Sequence, residues 1–332
     1  MKDKFRAIRV NQVEGRTHAA LATLSVEDID QGNVLVNVQY SSMNYKDALL
    51  LTGKGKIARK FPIIVGIDLA GVVVETMDTR LKVGDRVVCT GFGLSETRDG
   101  GYSEYISIPG DFLLKLPESL TPFEAMAMGT AGLTAALSIH RLEQNGIKPD
   151  QGPVLVTGAT GGVGSLAIDM LAGLGYQVSA LTGKEREQEY LKGLGASETI
   201  LRQTIQTSER PLEKGLWAAA LDGLGGDILA WLCRTVKPCG AIASYGLAAS
   251  TELKTTVLPF IVRGISLLGI DSVNCPMPLR MELWKRLGSD LRPRHLQASV
   301  NTLTLDEVVA NADKFIDGSV RGRYVVSVAD QS

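Results

Sequence analysis

Along the first third of the chain, apolar and polar positions follow a period of two. "NVLVNVQY" (33–40) and "GGYSEYISI" (100–108) alternate and are rich in β-branched or aromatic residues, and "KVGDRVVCT" (82–90) is a Gly-Asp turn leading into a strand. "IIVGIDLAGVVVE" (63–75) is almost continuously apolar, as a buried strand pair would be. Residues 1–115 therefore predict a β-barrel or sandwich. The period changes near 120. Thr121 is an N-cap candidate, Pro122 falls in the first turn and Glu124 stands three residues on, which together start a helix. From 153 to about 270, the short apolar runs "PVLVTGA", "YQVSALT", "AALDGLG" and "AIASYGL" alternate with helical stretches such as "GSLAIDMLAGLG" and "EQEYLKGLGA". That alternation predicts parallel βαβ units. A helix over 278–291, a second in "TLDEVVANADKFIDG" and a closing strand in "RGRYVVSV" complete the chain.

A length of 332 residues exceeds one ordinary core and predicts two domains. The boundaries expected are 1–124 for the β domain, completed by 273–332, and 125–272 for the βαβ domain. Apolar residues make up 45% and charged residues 21%, the balance of a globular protein. The net charge of −1 gives a nucleic-acid partner no electrostatic footprint. The N-terminus "MKDKFRAIRV" has no apolar signal core, and the longest apolar stretch holds Asp68 and is too short for a bilayer, so no membrane and a cytoplasmic location are expected. Cys89, Cys233, Cys239 and Cys275 lack metal-site spacing and are expected to be small buried hydrophobes in a reducing compartment.

The strongest local signal is "VLVTGATGGVGSLAIDMLAGLG". A strand over Val154–Thr157 runs through Ala159-x-Gly161-x-x-Gly164 into a helix. The first small residue permits the tight turn, Gly161 lets the backbone approach a pyrophosphate, and Gly164 lets helix and strand pack closely. The phosphates would meet the N–H groups at the helix start. An NAD site places an acid about twenty residues on, after the second strand. Here Thr182, Gly183 and Lys184 stand there, with Arg202 just beyond the next strand. A cation and a hydroxyl in place of the acid favour NADPH.

The other signal is the polar quartet Asn44-Tyr45-Lys46-Asp47, between a β-rich run and an apolar one. Four consecutive polar side chains cannot all face a core. Lys46 and Asp47 are expected either to pair with each other or to act directly, and Asp68 to cap a turn or meet substrate.

"VGDRVV", "GGYSEY", "GTAGLTAAL" and "GATGGVG" occur in the order of the medium-chain dehydrogenase/reductase superfamily, which the chain resembles over essentially its whole length. Zinc members hold an early Cys and a Gly-His-Glu motif. "MNYKD" has no Cys, and "VGIDLAG" puts Ile67 and Asp68 in place of His and Glu. The chain thus resembles the zinc-free, quinone-oxidoreductase-like members. "NYKDALLLTGKGKIARKFPIIVGIDLAG", "LPFIVRG" and "LLGIDSVNCPM" narrow the resemblance to the acrylyl-CoA reductase branch.

The resemblance implies an α/β fold, with a GroES-like β-barrel catalytic domain and a doubly wound parallel-sheet (Rossmann) NADP-binding domain. It places Tyr45 beside the nicotinamide and Thr160, Gly161, Gly162 and Val163 at the pyrophosphate. Thr182, Gly183, Lys184 and Arg202 would hold the 2′-phosphate, and Leu247, Ile261 and Ser272 would line the nicotinamide site. The activity implied is NADPH-dependent reduction of the double bond of an α,β-unsaturated acyl-CoA. The alternative is a quinone or small enone. Asn44 and Tyr45 are the candidate donors to an oxygen that gains charge as an enolate forms, and Tyr45 or water the proton source. Lys54, Lys56, Arg59 and Lys60 are read as a solvated face or a rim for coenzyme A phosphates. A homodimer, joined through the strand near "ISLLGIDSV", is implied.

Overall fold

The computed structural model describes residues 3–206, 208 and 210–329. The first two and last three residues, which the expected β domain includes, lie outside the described residues. The elements run β1 (Phe5–Val13), β2 (Arg16–Leu24), β3 (Val34–Met43), α1 (Tyr45–Leu51), β4 (Ile63–Ile64), β5 (Asp68–Thr76), β6 (Arg86–Thr90), β7 (Tyr105–Ile108), β8 (Leu114–Lys115) and α2 (Pro122–Gln144). They continue through β9 (Val154–Val156), α3 (Gly162–Gly173), β10 (Val178–Thr182), α4 (Gln188–Gly193), β11 (Glu198–Leu201), β12 (Trp217–Asp222), α5 (Gly226–Thr235), β13 (Val236–Ser244), α6 (Leu258–Arg263), β14 (Ser266–Gly269) and α7 (Met277–Leu287). They end with β15 (Val300–Thr304), α8 (Val308–Ile316) and β16 (Arg323–Ser327).

Two compact units share the chain: Met1–Thr130 with Val273–Trp284 and Val300–Ser332, and Ala131–Ser272 with Lys285–Ser299. In the first unit, β2-β1-β4 form one sheet and β15-β16-β3-β5-β6-β8 another, with β7 paired to β3. β16 lies antiparallel to β3, with Tyr324 opposite Met43. The last strand of the chain is thereby hydrogen-bonded to the strand that leads into the quartet. Val36, Val38, Leu69, Val73, Val87, Ile106 and Val326, apolar residues from alternate strand positions, fill the core beneath. The expected helix start at residue 121 is present: Thr121 N–H donates to Glu124 Oε2 at 2.9 Å, and Glu124 N–H donates back to Thr121 Oγ1 at 3.2 Å. Within α2, Gly129 has φ +52° and ψ −150°, which breaks the helical path.

In the second unit all six strands are parallel, in the order β11-β10-β9-β12-β13-β14. Counted within this unit, the order is 3-2-1-4-5-6, with its topological switch point between β9 and β12. Leu155, Leu181, Ala220 and Ile242 from neighbouring strands pack with Trp217, Trp231 and Leu232 in its core. Of the cysteines, Cys89, Cys233 and Cys275 are buried, but Cys239 is exposed. Its backbone sits at φ +61° within β13, so the expectation of four buried thiols is corrected there. Among the described residues no helix is long and apolar enough to cross a membrane.

Candidate active site

The quartet stands where β3 gives way to α1. Asn44 is the N-cap of α1, Tyr45 its first residue and Asp47 its third. A helix sends adjacent residues in different directions, and the quartet divides accordingly. Tyr45 points out and is 52% exposed, with no hydrogen-bond partner for its hydroxyl among the described residues. Lys46 pairs with Glu96. Asp47 turns inward and is fully buried. The expected Lys46–Asp47 ion pair is therefore absent, because the two side chains leave the helix on different faces.

Asp47 Oδ2 accepts the Asn44 N–H at 2.9 Å and Oδ1 accepts the Ile67 N–H at 3.0 Å. Asp68, also fully buried, is the second hub. Its Oδ2 accepts from Ser42 Oγ at 2.5 Å, Asn44 Nδ2 at 2.9 Å and the Thr130 N–H at 3.0 Å, while Oδ1 accepts from Thr130 Oγ1 at 2.5 Å. Arg323, at the start of β16, closes the network. Its Nε donates to the Ala127 carbonyl at 3.0 Å and its Nη1 to Asn44 Oδ1 at 3.2 Å. Tyr102 donates to the Ser42 carbonyl at 3.2 Å. Gly129 is required here. A Cβ would lie 2.6 Å from Asp68 Oδ2, 2.7 Å from Ser42 Oγ and 3.0 Å from Arg323 Nη2. The backbone break in α2 thus lets the chain pass over the network without a side chain in it.

The electrostatics follow from burial. Asp47 is pushed up to about 7, first by desolvation and then by the charge of Asp68, against the hydrogen bonds from Asn44 and Ile67. Tyr102 is raised well above its ordinary value, first by burial and then by the Asp47 and Asp68 charges. Burial pushes Arg323 down, although both carboxylates oppose that. Asn44 spends both ends of its carboxamide on this network, accepting from Arg323 and donating to Asp68 and Asp47.

The dinucleotide residues lie in the second unit, mostly at the carboxyl ends of its strands. Gly161 caps α3, whose first residues are Gly162 and Val163; Thr160 is buried beside them. A Cβ on Gly164 would stand 2.5 Å from the Gly158 carbonyl oxygen and 2.9 Å from Ala159 Cα, so helix and turn touch there. The N–H groups opening α3 have no carbonyl of their own helix to meet, which is the arrangement a pyrophosphate requires. At the end of β10, Thr182 Oγ1 accepts the Lys184 N–H at 3.0 Å. Arg202 follows β11, and its guanidinium lies 3.5 Å from where a Gly183 Cβ would be. It is exposed, with no ion-pair partner among the described residues. This strand end offers a phosphate a fork of N–H groups and no carboxylate at Thr182 or Gly183. The residues fit a dinucleotide with a 2′-phosphate. Leu247, Ile261 and Ser272 stand on three separate segments. Leu247 and Ile261 are 63% and 74% exposed, while Ser272 is buried and accepts from Thr134 Oγ1 at 2.8 Å.

The basic segment is only partly free. Lys54 pairs with Asp313 at 2.8 Å and Lys60 pairs with Asp30. Lys56 and Arg59 have no such partner among the described residues.

Two known families match the chain: the Alcohol dehydrogenase GroES-like domain over residues 30–118 and the Zinc-binding dehydrogenase family over 162–287. The residues present do not fit the zinc ion that the second description names. Ile67 offers no donor atom, the Asn44 oxygen is taken by Arg323, and among the described residues no three His, Cys, Asp or Glu side chains gather around one point. The chain is 44% identical to acrylyl-CoA reductase AcuI of Ruegeria pomeroyi, covering 98% of this chain and 99% of that protein. It matches the crystal structure of the yhdH oxidoreductase from Salmonella enterica in complex with NADP at a TM-score of 0.95 and 44% identity, over 98% of this chain and all of that one. The crystal structure of Bacillus subtilis yhfP with NAD bound matches at a TM-score of 0.95 and 45% identity, over 98% of this chain and all of that one. The chain belongs to the medium-chain dehydrogenase/reductase superfamily, in the branch that contains AcuI, YhdH and YhfP.

Proposed function

We propose that the protein is an NADPH-dependent reductase of the carbon–carbon double bond of an α,β-unsaturated acyl-CoA, acrylyl-CoA above all. The observation that carries this reading is the 44% identity, over nearly the full length of both chains, to a protein named acrylyl-CoA reductase. NADPH, when bound, supplies a hydride to the β-carbon of the substrate. Thr160, Gly161, Gly162 and Val163 would receive its pyrophosphate, and Thr182, Gly183, Lys184 and Arg202 its 2′-phosphate. Leu247, Ile261 and Ser272 would border the nicotinamide. Tyr45, exposed at the start of α1, would position substrate and cofactor. Asn44 acts through the network: its carboxamide is committed to Asp68 and Arg323, so it holds the start of α1 instead of donating to the substrate. Lys56 and Arg59 are the cations left to meet coenzyme A phosphates.

NADPH absorbance followed after addition of acrylyl-CoA tests the reading, with NADH and a simple quinone in parallel. Fast oxidation with NADPH and the thioester is expected. Turnover of the quinone alone would leave a quinone or enone reductase. General acids contribute about 10²–10⁴-fold. For a positioning tyrosine, Tyr45→Phe should lower kcat less than about tenfold; a fall beyond 10² would make Tyr45 the proton donor. Arg202→Ala removes a charge-assisted contact worth about 1.5–3 kcal/mol. It should raise KM for NADPH by one to two orders of magnitude and leave KM for NADH unchanged. An equal rise for both cofactors would remove Arg202 from the phosphate site.

We also infer a cytoplasmic homodimer. β14 is the edge strand of the six-stranded sheet, and Val257 and Val262 on the segment before it are exposed. Sedimentation at the mass of two chains is expected, and a single-chain mass would end this reading.

A further inference from the structure

A turn built from glycines is loosely determined by its own sequence, since glycine restricts φ and ψ least. Something must hold the turn after β9 in one shape. Directly before it stands Thr157, fully buried. Its Oγ1 donates to Asp222 Oδ1 at 2.6 Å and accepts the Gly223 N–H at 3.0 Å. Asp222, the last residue of β12 and also fully buried, opens a second glycine turn, Gly223-Leu224-Gly225-Gly226, that leads into α5. It accepts the Gly225 N–H on Oδ2 at 2.9 Å and the Leu224 N–H on Oδ1 at 3.3 Å. The next strand end joins as well. The Tyr245 N–H donates to the Asp222 carbonyl at 2.9 Å, and its hydroxyl to the Thr157 carbonyl at 3.4 Å. Gly158, Gly225 and Gly226 all have φ between +58° and +69°, so the backbone leaves the latch on each side through conformations other residues seldom adopt.

A buried carboxylate is costly. Asp222 has no cation within ion-pair distance among the described residues, and burial raises its proton affinity against the hydrogen bonds that lower it. What the carboxylate provides is one point that ties Thr157, directly before the first glycine turn, to the N–H groups of the second, at the carboxyl edge where a doubly wound sheet binds its ligand; Tyr245 joins through the backbone carbonyls of Asp222 and Thr157.

We propose that Thr157 and Asp222 form a latch that holds the glycine-rich turn in the shape that receives the NADPH pyrophosphate, which makes both of them positioning residues for the cofactor. The proposal rests on the NADPH reading above. Fluorescence titration with NADPH and steady-state kinetics of Thr157→Val and Thr157→Ser test it. Valine keeps the bulk and removes the hydroxyl, whereas serine restores the hydroxyl. Thr157→Val should raise Kd and KM for NADPH at least tenfold, more than it lowers kcat, with KM for the acyl-CoA moving less than threefold. Thr157→Ser should bind within about threefold of the wild type. Equal NADPH affinity for wild type and Thr157→Val overturns the latch, as does a serine variant as weak as the valine one, or a parallel rise in both KM values. Should Thr157→Val not fold, Thr157→Cys, a weaker donor of similar size, replaces it, and an affinity equal to that of Thr157→Ser overturns the proposal. A wild type that does not bind NADPH overturns the cofactor reading itself and the latch with it.

Discussion

Replacing Arg323 by methionine will cost roughly 3–5 kcal/mol of stability, the range seen when one partner of a buried charge set is removed. The reason lies in what the guanidinium faces. Arg323 is 3% exposed and is the cation whose charge acts on both Asp47 and Asp68, each of them fully buried. Without it, at about pH 8, where Asp47 as well as Asp68 is ionised, two carboxylates remain in the interior with hydrogen bonds but no opposite charge, and the Ala127 carbonyl and Asn44 Oδ1 each lose a donor. Urea unfolding reads the loss. Asp68→Asn in the Arg323→Met background should recover part of it, since the double variant buries one fewer unbalanced charge. Arg323→Lys should fall between, because an ammonium keeps the charge but cannot reach Ala127 and Asn44 in the fork geometry of a guanidinium. A loss below about 1 kcal/mol in Arg323→Met would show that the hydrogen bonds alone carry the two carboxylates. The outcome bears on function as well as folding, because the same network holds Asn44, and Asn44 sets where α1 begins and therefore where Tyr45 stands.

This network was the least legible part of the sequence, for a definite reason. Strand-helix alternation after residue 150 announces a parallel sheet, and the glycine spacing announces its first turn, because both are local patterns with fixed periods. The capping box at Thr121 and Glu124 is local too. The quartet is local in sequence but not in space. Reading Lys46 and Asp47 as a pair treats chain neighbours as spatial neighbours, which a helix forbids. The signal that could have separated them is Asn44-x-x-Asp47, the spacing at which a third-position carboxylate reaches back to the N-cap N–H. No pattern joins Asp68 to Arg323, which share one network through Asn44 only because the last strand pairs with β3. Nor does the spacing near Gly129 reveal that its missing side chain leaves room for Asp68 and Ser42. The basic segment was legible only as composition: four cations in nine residues read as a solvated face or a ligand rim, and the pairing of Lys54 with Asp313 and Lys60 with Asp30, from distant parts of the chain, is invisible to it.

The second large effect is a pH dependence carried by Asp47. Its carboxyl titrates near 7 in the folded protein, against an ordinary value of 3.8. A folded-state value above the unfolded one means that the folded protein binds the proton more tightly. The stabilisation from that proton is complete below about pH 4 and is lost as the pH rises to about 7, at about 1.4 kcal/mol per pH unit. Above 7 it no longer changes. Asp47→Asn is neutral at every pH. It forfeits one hydrogen bond to a backbone N–H throughout, but it cannot lose the proton. Between pH 5 and pH 8 the stability of Asp47→Asn relative to the wild type should therefore rise by about 3 kcal/mol, with most of the change complete by pH 7. Comparing variant with wild type at each pH cancels the titration of every other carboxylate. Denaturant midpoints at pH 5, 6, 7 and 8 provide the measurement. A constant difference would place Asp47 in the ionised form throughout, its charge held by Arg323 and the two backbone N–H groups. A rise that continues above pH 7 would mean that the Asp68 charge holds the proton on Asp47 still more tightly.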